Sequence, residues 1–108
     1  MTSVTLWVTV NIVILLMIRN FKHKGLRKLF EDDNRSGVNP NHAEKLLDLL
    51  DRLDAASVDE DMNFPGSKFH QLIGNRKGEY SVTVSGNWRL TFVFEDGDAY
   101  DVNYEDYH

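Results

Sequence analysis

Four runs in the second half of the chain alternate apolar and polar residues, and this alternation decides the fold class. Tyr80, Val82 and Val84 alternate with Glu79, Ser81 and Thr83. Trp88, Leu90, Phe92 and Phe94 alternate with Arg89, Thr91, Val93 and Glu95. Tyr100, Val102 and Tyr104 repeat the pattern, and Lys68 to Leu72 shows it more weakly. A period of two puts apolar side chains on one face only, which marks half-buried strands of an antiparallel sheet. Asp96-Gly97 is a two-residue hairpin turn of the kind that needs positive φ, and Ser85-Gly86-Asn87 turns the hairpin before it.

A sheet with one apolar face needs a cover, and the first half of the chain offers helices. Leu26, Leu29 and Phe30 recur at helical spacing, predicting a short helix from about His23 to Asp32. Asp32 to Gly37 is a turn-rich loop. Asn39 is a good cap and Pro40 a good first helical residue. Ala43, Leu46, Leu47, Leu50 and Leu53 then form an apolar stripe on a helix over about 40–56. Ile18 and Phe21 seed a short strand before the helices, and Asp59 to Gly66 is a connection. The fold class is α+β, with two N-terminal helices packed on a small twisted antiparallel β-sheet. A chain of 108 residues holds one such domain.

Residues 1–16 stand apart from this pattern. Met1 to Ile18 is apolar and carries no charge, which suggests a membrane span or a signal peptide. It is at the lower length limit for spanning, and several Thr residues and Asn11 dilute it. No cation precedes the apolar core, and no small-residue cleavage site follows it. The preferred reading makes 1–16 a mis-called start or dispensable extension, with the domain at 17–108. The protein then sits in the cytoplasm without a membrane partner.

Composition removes several chemistries. There is no cysteine, so disulfides and thiolate metal sites are excluded. The glycines stand singly, so no loop cradles phosphate. His23, His42, His70 and His108 are far apart, and no metal or cofactor is expected. The net charge of −5 argues against gripping nucleic acid by phosphates alone. That average hides a basic stretch, Arg19 to Lys28, and an acidic one, Glu95 to Asp106.

The remaining polar residues within strands have two readings. In the plain one, His70 and His108 are surface residues and Arg89 is a sheet-surface cation. In the other they do chemistry. RNA cleavage by its own 2′-hydroxyl needs no metal, only a base, an acid and cations for the phosphorane. Histidine titrates near neutral pH, and arginine contacts phosphate bidentately.

Four blocks carry a family resemblance. They are Phe21 to Phe30 (FKHKGLRKLF), His70 to Gly78 (HQLIGNRKG), Gly86 to Phe92 (GNWRLTF) and Gly97 to His108 (GDAYDVNYEDYH). The second is similar to a family H-P-L-K-G-D-R-x-G and the third to N-W-R-[IL]-[TC]-F. The segment from Met17 to His108 thus resembles the HigB toxins, a branch of the RelE/ParE superfamily also known as plasmid maintenance system killer proteins. The resemblance implies the same fold of two helices on a sheet. It implies a ribosome-dependent endoribonuclease that cuts messenger RNA and inhibits translation. It implies a HigA-like helix-turn-helix antitoxin, with promoter DNA bound only through the toxin–antitoxin complex. The family's catalytic positions fall on His70, Asp106, Tyr107 and His108, and a phosphate-contacting cation on Arg89. One departure is Ile73, where the family has lysine; Arg76 and Lys77 lie nearby to compensate. The alternative function is a ParE-like toxin without nuclease activity that poisons DNA gyrase.

Overall fold

Alternation becomes a four-stranded antiparallel sheet in the computed structural model, which describes residues 17–107. The strands are β1 (His70–Gln71), β2 (Glu79–Ser85), β3 (Trp88–Glu95) and β4 (Asp98–Asp106), paired in sequence order. Asp96 and Gly97 turn the last hairpin with φ of 50° and 84°, the double positive φ of a type I′ turn. The weakly alternating run before β2 yields only the two paired residues of β1, both exposed. The residues at 1–16, and His108, lie outside the described range.

The expected alternation of β4 is broken at one point. Thr91 faces Asn103, but Val93 faces Tyr100, so β4 carries an extra residue between them. Asp101 has a φ of 52° there. Such a bulge reverses the facing of everything on one side of it. Tyr100 therefore shares the face of Val93, and Ala99 replaces it in the core beside Val102 and Tyr104.

The helices lie on the apolar face. Helix α1 (Lys24–Asp32) buries Leu26 and Leu29. His23 caps it, its Nδ1 accepting the Leu26 N–H at 3.0 Å. Asp33 closes it in the left-handed region, donating its N–H to the Leu29 carbonyl. A 3₁₀ turn at Pro40–His42, capped by Asn39, leads into helix α2 (Ala43–Ala55). Leu46, Leu49, Leu50 and Leu53 are fully buried, whereas Leu47 is half-buried. The apolar sector is thus rotated from the expected stripe: Leu49 holds the core position and Leu47 the rim. The 59–66 connection is also more ordered than a plain loop, since the 3₁₀ turn Asp59–Met62 buries Met62 completely.

The expected strand near Ile18 exists as two parallel bridges, Ile18 to Ala99 and Phe21 to Val102. The Asp54 carboxylate accepts the N–H groups of Met17 and Ile18 at 3.1 and 3.2 Å, tying this segment to the end of α2. Gly25 and Gly37 cross so closely that a Cβ on either would strike the other's backbone. No helix among the described residues is long and apolar enough to cross a membrane.

Candidate active site

Strand register builds a polar surface on the face away from the helices. His70 pairs with Ser81, Ser81 with Thr91, and Thr91 with Asn103, forming one row across the sheet. The next row is Thr83, Arg89 and Glu105, and the row on the other flank is Glu79, Val93 and Tyr100. His70 and Arg89 are therefore brought to one face, in neighbouring rows, although 19 positions apart in sequence.

His70 is exposed, and its Nδ1 lies 3.0 Å from the Lys68 carbonyl. A carbonyl only accepts, so Nδ1 carries the proton and Nε2 remains available to the open face. Arg89 is half-buried, and its Nε and Nη1 are shielded from water with no hydrogen-bond partner among the described residues. Ser81 Oγ, one row away, is likewise buried and unpartnered. Buried donors are almost always paired, so these two guanidinium nitrogens stand out as donors that no described residue satisfies.

Arg76 behaves differently. It sits in the 3₁₀ turn Gly74–Arg76 between β1 and β2. Its Nε and Nη2 donate to Glu79 at 3.2 and 2.7 Å, and its Nη1 and Nη2 donate to Glu105 at 3.0 and 2.7 Å. Hydrogen bonds to Glu105 and Glu79 push the Arg76 pKa above its usual value. In return, Arg76 foremost, helped by Thr91 and the charge of Lys22, holds the Glu105 carboxyl below its usual value against burial. Thr91 Oγ1 donates to Glu105 at 2.8 Å, so the network covers the centre of the polar row.

Tyr107 is exposed, and its ring centroid lies 5.9 Å from the Arg76 guanidinium carbon. Its N–H donates to the Asn87 carbonyl at 2.8 Å. Asp106 pairs in register with Trp88, whose ring packs against Tyr104 in the core, so its register position is on the helix side of the sheet. His108 lies outside the described residues. Ile73 is 86% exposed and lines a shallow depression of about 290 Å³ with Gln71, Leu72, Gly74 and Lys77. Lys77 has no ion pair among the described residues, so of the two cations near Ile73 it is the one uncommitted.

Sequence reasoning passes over Glu79, Ser81, Thr91 and Glu105. The only available signal is that Ser81 and Thr91 sit mid-strand on a face where neither needed to be buried. Thr91 is held by Glu105, 14 positions away in sequence.

Comparison with known proteins gives the family. Residues 19–108 match the family described as the RelE-like toxin of the type II toxin–antitoxin system HigB. A Proteus vulgaris protein named Endoribonuclease HigB is 48% identical over 92 residues, covering 85% of this chain and all of the relative. A Vibrio cholerae protein named Toxin HigB-1 is 40% identical over 85 residues, covering 77% of this chain and 90% of the relative. The chain belongs to the HigB-like family of RelE-like toxins of type II toxin–antitoxin systems.

Proposed function

We propose that the chain is an endoribonuclease that cuts messenger RNA on the ribosome and so inhibits translation. The observation that carries this reading is the Arg89 guanidinium, with Nε and Nη1 lacking acceptors among the described residues, one row from the exposed His70 on the polar face of the sheet. A scissile phosphate is the acceptor such a group lacks, and arginine meets it with a planar fork.

In this reading a histidine, His70 or His108, takes the proton of the RNA 2′-hydroxyl. The 2′-oxygen attacks the adjacent phosphorus and the bond to the 5′-oxygen breaks. The other histidine protonates that 5′-oxygen, leaving a 2′,3′-cyclic phosphate and a 5′-hydroxyl. Arg89 stabilises the charge that builds on the phosphorane, with Lys77 as a further cation at the rim. Tyr107 orients a base by stacking. Asp106 has its register position on the opposite face from His70, so the imidazole whose tautomer it sets is that of His108. No metal or cofactor takes part. The partner is a HigA-like helix-turn-helix antitoxin, and promoter DNA is bound only through the complex of the two. Residues 17–108 are the active domain, working in the cytoplasm, and 1–16 are dispensable. The interlocking of Met17 with Asp54 and Ala99 supports that boundary.

The test is to map messenger RNA 5′ ends in growing bacteria after inducing the full chain, residues 17–108, His108→Ala and Arg89→Ala. New 5′-hydroxyl ends inside translated frames, seen with both active forms and lost in both variants, are expected. Growth arrest without new ends would replace this reading with a gyrase-poisoning toxin. Loss of activity on removing 1–16 would overturn the boundary.

A further inference from the structure

The Ile73 departure makes Arg76 an obvious substitute phosphate contact, yet its chemistry is already committed. A guanidinium has five N–H bonds, and four hydrogen bonds from its three nitrogens run to Glu79 and Glu105. One cation between two carboxylates also leaves the trio net negative, so an approaching phosphate meets repulsion there. Displacing either carboxylate would leave it half-buried and unpaired, which is costly.

The network does something else. It ties the turn before β2 to the far end of β4, 29 positions away in sequence. Glu105, held by Arg76 and Thr91, is two residues before Tyr107. The Tyr107 backbone is fixed by Asn87 and its ring lies over the guanidinium at cation–π range. We propose that Arg76 is a positioning residue: through Glu105 and the Tyr107 ring it sets the direction of the outgoing end of β4, and it does not contact RNA. This rests on the reading that the chain cleaves RNA. It separates two arginines on one face into distinct roles, with Arg89 for phosphate and Arg76 for the geometry of Tyr107 and the chain end beyond it.

The experiment is single-turnover cleavage on programmed ribosomes with purified full-length protein, measured against protein concentration and salt. For Arg76→Ala the maximal rate should fall about tenfold to a hundredfold, as misplaced reacting groups do. Its half-saturating concentration and salt dependence should match the parent. Arg89→Ala is the reference for a phosphate contact, with weaker binding and a salt slope reduced by about one. Arg76→Ala combined with Tyr107→Ala should lose less than the two single losses multiplied together, because Arg76 acts in part through the Tyr107 ring. Behaviour of Arg76→Ala like that of Arg89→Ala would overturn the proposal, as would additive losses in the double variant. Should Arg76→Ala fail to fold, Glu105→Gln keeps the side-chain volume and the Thr91 bond and should show the same rate loss at unchanged half-saturation. If the parent protein cuts nothing, the cleavage reading fails by itself. The positioning role is then decided by NMR of the tyrosine rings, with Tyr107 assigned by its loss in Tyr107→Phe. Its ring signals should move to averaged, solvent-like positions in Arg76→Ala, and unchanged signals would refute the role.

Discussion

Arg89→Met should make the protein more stable and inactive at once. Methionine has a similar reach, packs flexibly and needs no acceptor. The two unpartnered nitrogens of Arg89, Nε and Nη1, are shielded from water in the folded state, and each such donor atom costs about 1–3 kcal/mol. The side chain is half-buried rather than enclosed, so nearby water screens part of that cost, and the lower end applies: about 1–2 kcal/mol in all. For a domain of this size that corresponds to a rise in Tm of about 4–16 °C. Urea unfolding checks it, with a higher midpoint at unchanged slope. Mapping of messenger RNA ends in the same strain should show none. A lower midpoint for Arg89→Met would refute the reasoning, because it would mean that the guanidinium finds acceptors in the free protein. Arg89→Lys separates charge from shape: it retains the cation without the fork, so it should recover little cleavage.

Two other outcomes rest on local geometry. Gly25→Ala would set a Cβ 2.7 Å from the Gly37 carbonyl carbon; overpacking at about 1–3 kcal/mol outweighs a helix-propensity gain of at most about 1 kcal/mol, so thermal unfolding should show a lower Tm. The His23 cap accepts a hydrogen bond through Nδ1, and burial lowers its pKa below 6.5. The unfolded chain then takes up the proton first, so stability is full above pH 6.5 and declines as pH falls from there through the folded pKa. His23→Asn keeps a cap acceptor that does not titrate; the stability difference between it and the parent should shift in favour of Asn below pH 6.5 in paired urea titrations, and a constant difference would refute the assignment.

What the sequence reveals is local. Alternation suffices to place β2 and β3, whose apolar side chains turn to the helices, although it does not announce that Ser81 and Thr91 on the other face are buried as well. It misleads at Tyr100, since nothing in the run Asp98 to Tyr104 announces that Asp101, an ordinary aspartate, takes positive φ and inserts a bulge. The α2 stripe is right in kind, but both Leu47 and Leu49 fit a helical face, and only docking against the sheet decides between them. For the site, His70 and Arg89 are visible as odd polar residues in strands, while their neighbourhood is set by register across three strand pairs. Arg76 shows the opposite failure. A cation near a missing lysine invites a phosphate role, and the two carboxylates that claim it come from β2 and β4, one three positions away in sequence and one 29.

The parallel bridges between residues 17–22 and β4 have a consequence for how the molecule assembles. Asn20 and Asp101 exchange hydrogen bonds across 81 positions, whereas the β-hairpins close over short loops. The hairpins can form early and separately, but the opening segment has no partner until β4 is already in place. Because α1 begins just two residues after Lys22, its final docking is bound to the same late event. Closing so large a loop is slow, and it couples the two ends of the domain into one cooperative step. A lesion at Asn20 or Asp101, far from the polar face, should therefore slow refolding more than it alters the folded surface.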